Sequence, residues 1–444
     1  MANKSAQALI EFINASPTPY KTIDSLKSML KNAGAKEVKL SEINKDLATC
    51  GLYYTTYGDL CLAAFIKGND ISDGIGIGAA HIDHPVLKLK PHPTKASNGI
   101  ERLSVEVYGS TINHTWLDRP LKLTGRVSFL TKDGQTTFAD IDSGNHTVVI
   151  PSAALHVVRD VNDNAKFSIQ NELLPFFSLS GKDNDNDFIS WLSVKLSEQT
   201  GNNVSREDIL SFDISLVDAM PAAFSGINDE FISATGLDDL AMTFTLFRGL
   251  CETAEKKMTS SSQKPVAAIA FNHEECGSQS ITGAKSAFTK AFVSSLCKAA
   301  CEEVSDALIA ETMEKSIIYS CDMAHATHPS YEGKSDSEHK ILHGKGLVLK
   351  TSHNQSYSTS LTGSSKFIAL CKRAAVPYQL YAGHSDTRTG TTIGPMLCAD
   401  LGTTTVDIGI PMLAMHSARE FCASIDIEIA INFFNAFFTD KKEG

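Results

Sequence analysis

Two short apolar stripes open the chain. Leu9, Ile10, Phe12 and Ile13 follow Ser5, and Ile23, Leu26, Met29 and Leu30 precede Gly34, so each spacing predicts an amphipathic helix. Ser16-Pro17-Thr18-Pro19 separates the two. From Leu60 the texture changes to short uninterrupted apolar runs, 61–66 and 75–80, bounded by Gly, Asn and Asp, as expected for strands covered on both faces. After Thr235-Gly236 helix and strand alternate, with residues 239–253 reading as helix and 266–271 and 316–319 as buried strands. The last segment, 425–438, places Ile427, Ile431, Phe434 and Phe438 on one helical face, which predicts packing onto a sheet.

Between about 89 and 225 the pattern is different. Segments such as 104–108 and 121–127 alternate apolar with polar residues and are parted by turn residues, the signature of half-exposed strands. The prediction is an α/β fold with a discontinuous first domain, 1–88 and 226–444, interrupted by an inserted β-rich domain, 89–225. The most polar stretch, Gly181-Lys182-Asp183-Asn184-Asp185-Asn186-Asp187, resembles the start of an EF-hand loop but lacks its Gly and closing Glu, and reads as a solvated loop.

Composition narrows the classes. With 444 residues and 42% hydrophobic content the chain can bury a large core and divide into domains. Forty Lys and Arg against 51 Asp and Glu, a formal charge of -11, disfavour nucleic acid and anionic membranes as partners. No apolar stretch reaches signal-peptide or membrane-spanning length, which predicts a cytoplasmic protein. Ten cysteines without a CxxC pair, several of them (Cys61, Cys371, Cys398) inside apolar runs, predict reduced thiols rather than disulfides or cysteine-bound zinc.

The candidate chemistry collects at strand ends, where open α/β sheets bind ligands. His81 ends one apolar run, Glu274 and Glu275 follow another, and Asp322 follows a third. With Asp238 and His416 they make two His and three carboxylates able to hold two divalent cations, beside a spare carboxylate, Glu274. Asp83, two residues after His81, is expected to accept the spare ring N–H of that histidine. Adjacent carboxylates in an extended segment project oppositely, so Glu275 can bind metal while Glu274 serves as base. Asp238 and Asp239 open a helix, where capping alone would explain them. The loop from Asp322 to His328 carries more polar function than a structural turn needs.

Rival motifs fail on their own terms. His273-Glu274-Glu275-Cys276-Gly277 lacks the second His of a zincin helix, and Gly383-His384-Ser385-Asp386-Thr387 lacks the last Gly of a nucleophile elbow. Gly390-Thr391-Thr392 opens a Gly- and Thr-rich loop that is not a P-loop but can offer backbone donors to a substrate.

The ordered set of motifs resembles the M18 aspartyl aminopeptidases, which are co-catalytic zinc exopeptidases. It runs from Asn14-Ala15-Ser16-Pro17-Thr18-Pro19 through Ala80-His81-Ile82-Asp83, Thr115-Trp116-Leu117-Asp118-Arg119, Leu237-Asp238-Asp239-Leu240, Glu274-Glu275-Cys276-Gly277-Ser278, Asp322-Met323-Ala324-His325-Ala326 and Gly390-Thr391-Thr392-Ile393-Gly394-Pro395 to Leu413-Ala414-Met415-His416-Ser417. The resemblance implies a zinc-exopeptidase-like α/β/α catalytic domain with a mixed sheet, and an inserted dimerisation domain. It makes His81, Asp238, Glu275, Asp322 and His416 the ligands of two divalent ions, zinc first and cobalt or manganese as alternatives, with Asp238 bridging and Glu274 the general base. It assigns His156 to a neighbour's active site, His328 to the site itself and Lys350 to an acidic substrate side chain. It also implies dimers assembled into a tetrahedral dodecamer.

The chain departs from the family pattern in places. Ala80 stands where Ser is usual, Asp239 where Asn follows the bridging Asp, Ser356 where Arg is expected, and the segment His384-Ser385-Asp386-Thr387-Arg388 reshapes a nearby loop. None of these removes a ligand, but they bear on which amino-terminal residue is preferred. The expected function is removal of an amino-terminal residue, acidic by preference, from peptides. A related binuclear deacylase, a neutral-residue aminopeptidase and a non-catalytic assembly protein are the alternatives, and the complete ligand set argues against the last.

Overall fold

The computed structural model describes residues 3–163, 166–180, 187–256 and 263–440, so most of the polar loop 181–187 lies outside the described residues. The chain divides into two compact units. One comprises residues 1–83, 222–415 and 420–444, and the other 84–221 with 416–419. The crossings lie a few residues before 88/89 and 225/226, because the strand Val86–Ser97 pairs from Val86 onward within the second unit.

The first unit is built on a nine-stranded mixed sheet. Its centre is four parallel neighbours in the order Val266–Phe271, Gly76–His81, Ile317–Cys321 and Thr404–Gly409. Alternate side chains of one strand enter different cores. Val266, Ala268 and Ala270 join the packing of the helices Lys4–Ala15, Leu237–Glu255 and Ser424–Thr439, while Ala267, Ile269 and Phe271 meet Phe288–Ala300. Helices therefore cover both faces, which is why these strands read as unbroken apolar runs. The two amino-terminal stripes form the helices Lys4–Ala15 and Pro19–Asn32, and the predicted carboxy-terminal face is buried in Ser424–Thr439.

The sequence pattern did not separate two further features. A five-stranded sheet joins Ala223–Ser225, Phe231–Ala234, Glu420–Ala423, Pro411–Leu413 and Ala324–His325, all too short to show alternation. In the second unit a six-stranded antiparallel sheet is covered by the helix Phe188–Thr200, whose Phe188, Leu192 and Leu196 pack with Trp116, Leu121 and Ile214. Among the described residues no helix is long and apolar enough to cross a membrane.

Asp426, at the start of Ser424–Thr439, is buried and accepts the amides of Gly344 (2.8 Å) and Gly346 (3.1 Å). Burial pushes its carboxyl up to about 6, against the pull of those two amides. Between about pH 4 and 6 the native chain keeps a proton that the unfolded chain has lost, so stability falls as pH rises through that window and is level above it. The rise from 3.8 to about 6 limits the effect to roughly 3 kcal/mol. Urea unfolding of the wild type and Asp426→Asn at both ends of the window should show a shallower pH dependence in the variant. Equal dependence would remove Asp426 as its source.

Candidate metal centre

The parallel core strands deliver their ends to one edge. His81, the last residue of Gly76–His81, stands in register with Phe271, and the turn bearing Glu274 and Glu275 begins three residues after Phe271. Asp322 follows Ile317–Cys321 directly. Its turn presses on the next strand, since a Cβ at Gly409 would come 2.1 Å from the Asp322 carbonyl oxygen.

His81 is the hub. Its Nδ1 lies 3.0 Å from the backbone carbonyl of Asp83, so the ring proton belongs on Nδ1 and Nε2 is left to face Asp238, with Oδ1 at 3.5 Å. One ligand atom each from His81, Asp238 and Glu275 lie within 4.8 Å of one another. Asp239 Oδ2 accepts the His81 backbone N–H at 3.1 Å, and Thr243 donates to the His81 carbonyl at 2.6 Å, which fixes the strand end from the helix side. Glu420 Oε2 accepts the Asp238 amide at 3.0 Å. Asp238 and Asp239 have non-helical backbone angles, and both meet His81, Asp238 at its ring and Asp239 at its backbone N–H, with no side-chain cap on the helix.

Two expectations change. The carboxylate of Asp83 is 3.6 Å from His81 Nδ1 and instead accepts the amides of Glu274 and Glu275, both at 3.1 Å. Those two glutamates are not in an extended segment. They sit in a 3₁₀ turn, Glu274–Cys276, flanked by His273 and Gly277 in left-handed conformation. Successive side chains in such a turn still diverge, by about 120°.

The cluster is electrostatically crowded. Burial, reinforced by Asp322, Asp83 and Asp238, pushes Glu274 up to about 8 even though His81 pulls it down. Glu275 rises to about 11 through burial and the charge of Asp238. Asp239 is held well above the ordinary carboxylate range, chiefly by burial, and Asp322 is raised by burial against the pull of Lys350. Acid groups so placed call for a cation, and an imidazole nitrogen with converging carboxylates is a donor set that zinc accepts. The residues present fit a divalent metal.

The other candidates fall as follows. Lys350 is 3% exposed and its ammonium donates to Asp322 Oδ1 (3.2 Å) and the Met323 carbonyl (2.6 Å), so its charge is already engaged. Gly390 and Thr391 are exposed, whereas Thr392 is buried and donates to Asp407 Oδ1 at 2.5 Å. Asp407 also accepts the amide and hydroxyl of Ser358, at 2.6 and 2.8 Å, and thereby ties two loops to one strand. His328 caps the short helix Pro329–Lys334. His156 is exposed in the second unit, and His416, whose carbonyl accepts the Ile112 amide at 2.9 Å, clusters with that unit. Asp407 and Glu420 escaped sequence reasoning, as did the bond from the His81 amide to Asp239, although a lone carboxylate inside the strand Thr404–Gly409 was a readable signal.

A buried imidazole and carboxylate cluster at the carboxyl ends of a parallel sheet, between two helical layers, defines a metal-dependent hydrolase of the zinc-exopeptidase type. Residues 12–438 match the model of the aminopeptidase I zinc metalloprotease (M18) family, and the chain belongs to that family. Aspartyl aminopeptidase 1 of Schizosaccharomyces pombe is 32% identical over 452 residues, covering 98% of this chain and 95% of that protein. A chain of the solved Ape4 and Nbr1 complex superposes with a TM-score of 0.91 at 32% identity, covering 98% of this chain and 86% of that one. The S. cerevisiae mApe1 dodecamer gives 0.84 at 26%, covering 98% and 96%.

Asp83 sets the glutamate turn without being in the converging triad. Asp83→Ala should therefore weaken zinc binding by roughly 10- to 100-fold, read by chelator competition on protein whose circular dichroism is unchanged. Unaltered affinity would show that the turn holds itself.

Proposed function

We propose that the chain removes the amino-terminal residue from peptides, acidic residues by preference, with Glu274 as the proton carrier. The observation that carries this reading is the convergence of His81, Asp238 and Glu275 with Glu274 adjacent to the triad in the same turn. His81, Asp238, Glu275, Asp322 and His416 would hold the divalent ions, zinc by the family's description. When bound, such ions supply Lewis acidity that lowers the pKa of water and polarises the scissile carbonyl.

The remaining steps belong to the chain's own residues. Glu274 takes a proton from the attacking water and returns it to the leaving amine, a shuttle open to a carboxylate in the same turn as Glu275. Asp83 holds Glu274 and Glu275 through their amides, and the Asp83 carbonyl holds the His81 ring. Lys350 keeps Asp322 oriented. The exposed Gly390 and Thr391 offer backbone groups to the peptide, and His328 or a neighbouring copy's His156 would steady the developing oxyanion.

The preference for acidic residues is supported by the name of the S. pombe relative. Assembly into a homo-oligomer is supported by the dodecameric mApe1 structure, with the inserted unit as the dimerising element and a tetrahedral dodecamer as the expected form. We place the activity in the cytoplasm, on peptides rather than on nucleic acid or membrane.

Glu274→Gln should lower turnover of aminoacyl chromogenic substrates by about 10²- to 10⁴-fold while metal content stays at the wild-type level. Loss of metal along with activity would move Glu274 into the ligand set, and undiminished turnover would discard it as the base.

A further inference from the structure

Asp407 lies inside the strand Thr404–Gly409, fully buried and outside the converging triad, and it forms no ion pair with a described residue. A buried carboxylate without a counter-charge depends on hydrogen bonds, and those of Asp407 come from two loops. Its Oδ2 accepts the Ser358 amide at 2.6 Å and the Ser358 hydroxyl at 2.8 Å, and its Oδ1 accepts the Thr392 hydroxyl at 2.5 Å. The Asp407 amide donates in turn to Thr359 Oγ1 at 2.9 Å. The packing around this knot is tight, since a Cβ at Gly394 would come 2.4 Å from Asp407 Oδ1 and 2.7 Å from Ser358 Oγ.

Each loop leads to a group that the proposed reaction uses. Tyr357, next to Ser358, is buried, and its ring centre lies 5.5 Å from the Lys350 ammonium, which donates to Asp322. Lys350 and Asp407 are also neighbours across the sheet: Leu349 pairs with Ile408, and these two are the next residues along their strands. The Ile408 carbonyl accepts the Asp322 amide at 3.0 Å. Burial lowers the Lys350 ammonium, yet Asp322, Tyr357 and Asp407 together hold it above its ordinary range. In the other loop Thr392 follows the exposed Gly390 and Thr391, and its oxygen accepts the Gly394 amide at 3.2 Å, at the start of the helix Gly394–Leu401.

We propose that Asp407 is a positioning residue for the reaction. Through Thr392 it fixes the loop whose backbone receives the peptide, and through Ser358 it fixes the Tyr357 ring that flanks Lys350 and so steadies Asp322. The inference rests on the aminopeptidase reading. Backbone donors that drift by an ångström from their partners cost on the order of 10²-fold in rate, and exposed Gly390 and Thr391 have their anchor in the next residue, Thr392. The two arms are separable, because Thr392 bonds one carboxylate oxygen and Ser358 the other.

The test measures kcat and KM on aminoacyl chromogenic substrates, and zinc affinity by chelator competition, for wild type, Thr392→Val, Thr392→Ser and Asp407→Ala. Thr392→Val cuts one arm and should lower kcat/KM on the order of tenfold, mainly through KM, with zinc affinity within about twofold of wild type. Thr392→Ser keeps the hydroxyl and should recover most of that loss. Asp407→Ala cuts both arms and should add a roughly tenfold loss of zinc affinity to the rise in KM. Wild-type KM in Thr392→Val, or equal losses in Thr392→Val and Thr392→Ser, overturns the proposal and leaves the aminopeptidase intact. A folded Asp407→Ala with wild-type zinc affinity overturns it too, since the carboxylate then serves the fold alone. If Asp407→Ala does not fold, the Thr392 pair decides. Wild type inactive on every substrate removes the aminopeptidase reading and the proposal with it.

Discussion

Burying several carboxylates around one imidazole is the constraint to which the rest of the first unit answers. Asp83, Asp238, Asp239, Glu275 and Asp322 crowd His81 at a sheet edge where water cannot screen them, and each would be costly there without compensation. The chain compensates some of them itself. Asp83 takes two amides, Asp239 takes the His81 amide, and Asp322 takes the Lys350 ammonium. Asp238 and Glu275 instead converge on the side of His81 from which Nε2 projects. Asp83 and Asp239, held through backbone amides, thus act as scaffold for the side chains that converge at His81.

The sheet makes that concentration possible. Four parallel strands end at the same edge, so residues distant in sequence arrive together without long side chains. Close packing then sets their depth: a Cβ at Gly78 would come 2.2 Å from Leu246, and one at Gly409 would meet the Asp322 carbonyl. The helix Leu237–Glu255 can therefore approach Gly76–His81 closely enough for Asp239 and Thr243 to bond the backbone of His81. Larger residues at these glycines would separate layers whose contact positions the acids.

Much of this was legible before the structure. His81 and Asp322 were readable because each terminates an apolar run, and the helical stripes were readable because burial on one face leaves a 3.6-residue period. Partners that come from afar were not. Nothing near Asp83 indicates that its carboxylate will hold two amides nearly 200 positions away, and nothing near Thr392 indicates that its hydroxyl belongs to Asp407. The glutamate turn escaped because His273 adopts a left-handed conformation that its residue type does not announce. The bridging role expected of Asp238 came from the family resemblance alone, since a carboxylate at a helix start is explained locally by capping.

Lys350 and Arg388 show why residue type and position still leave specificity open. Lys350 is 3% exposed and held by two oxygens, whereas Arg388 is exposed and forms no ion pair with a described residue. Removing one partner of a buried ion pair leaves a desolvated charge, at a cost of ~3–5 kcal/mol. Lys350 donates to Asp322 and Met323 with two of its three ammonium N–H groups, so a further acceptor at that ammonium would share it with Asp322. The burial of this pair ties Lys350 to the placement of the acids at the sheet edge.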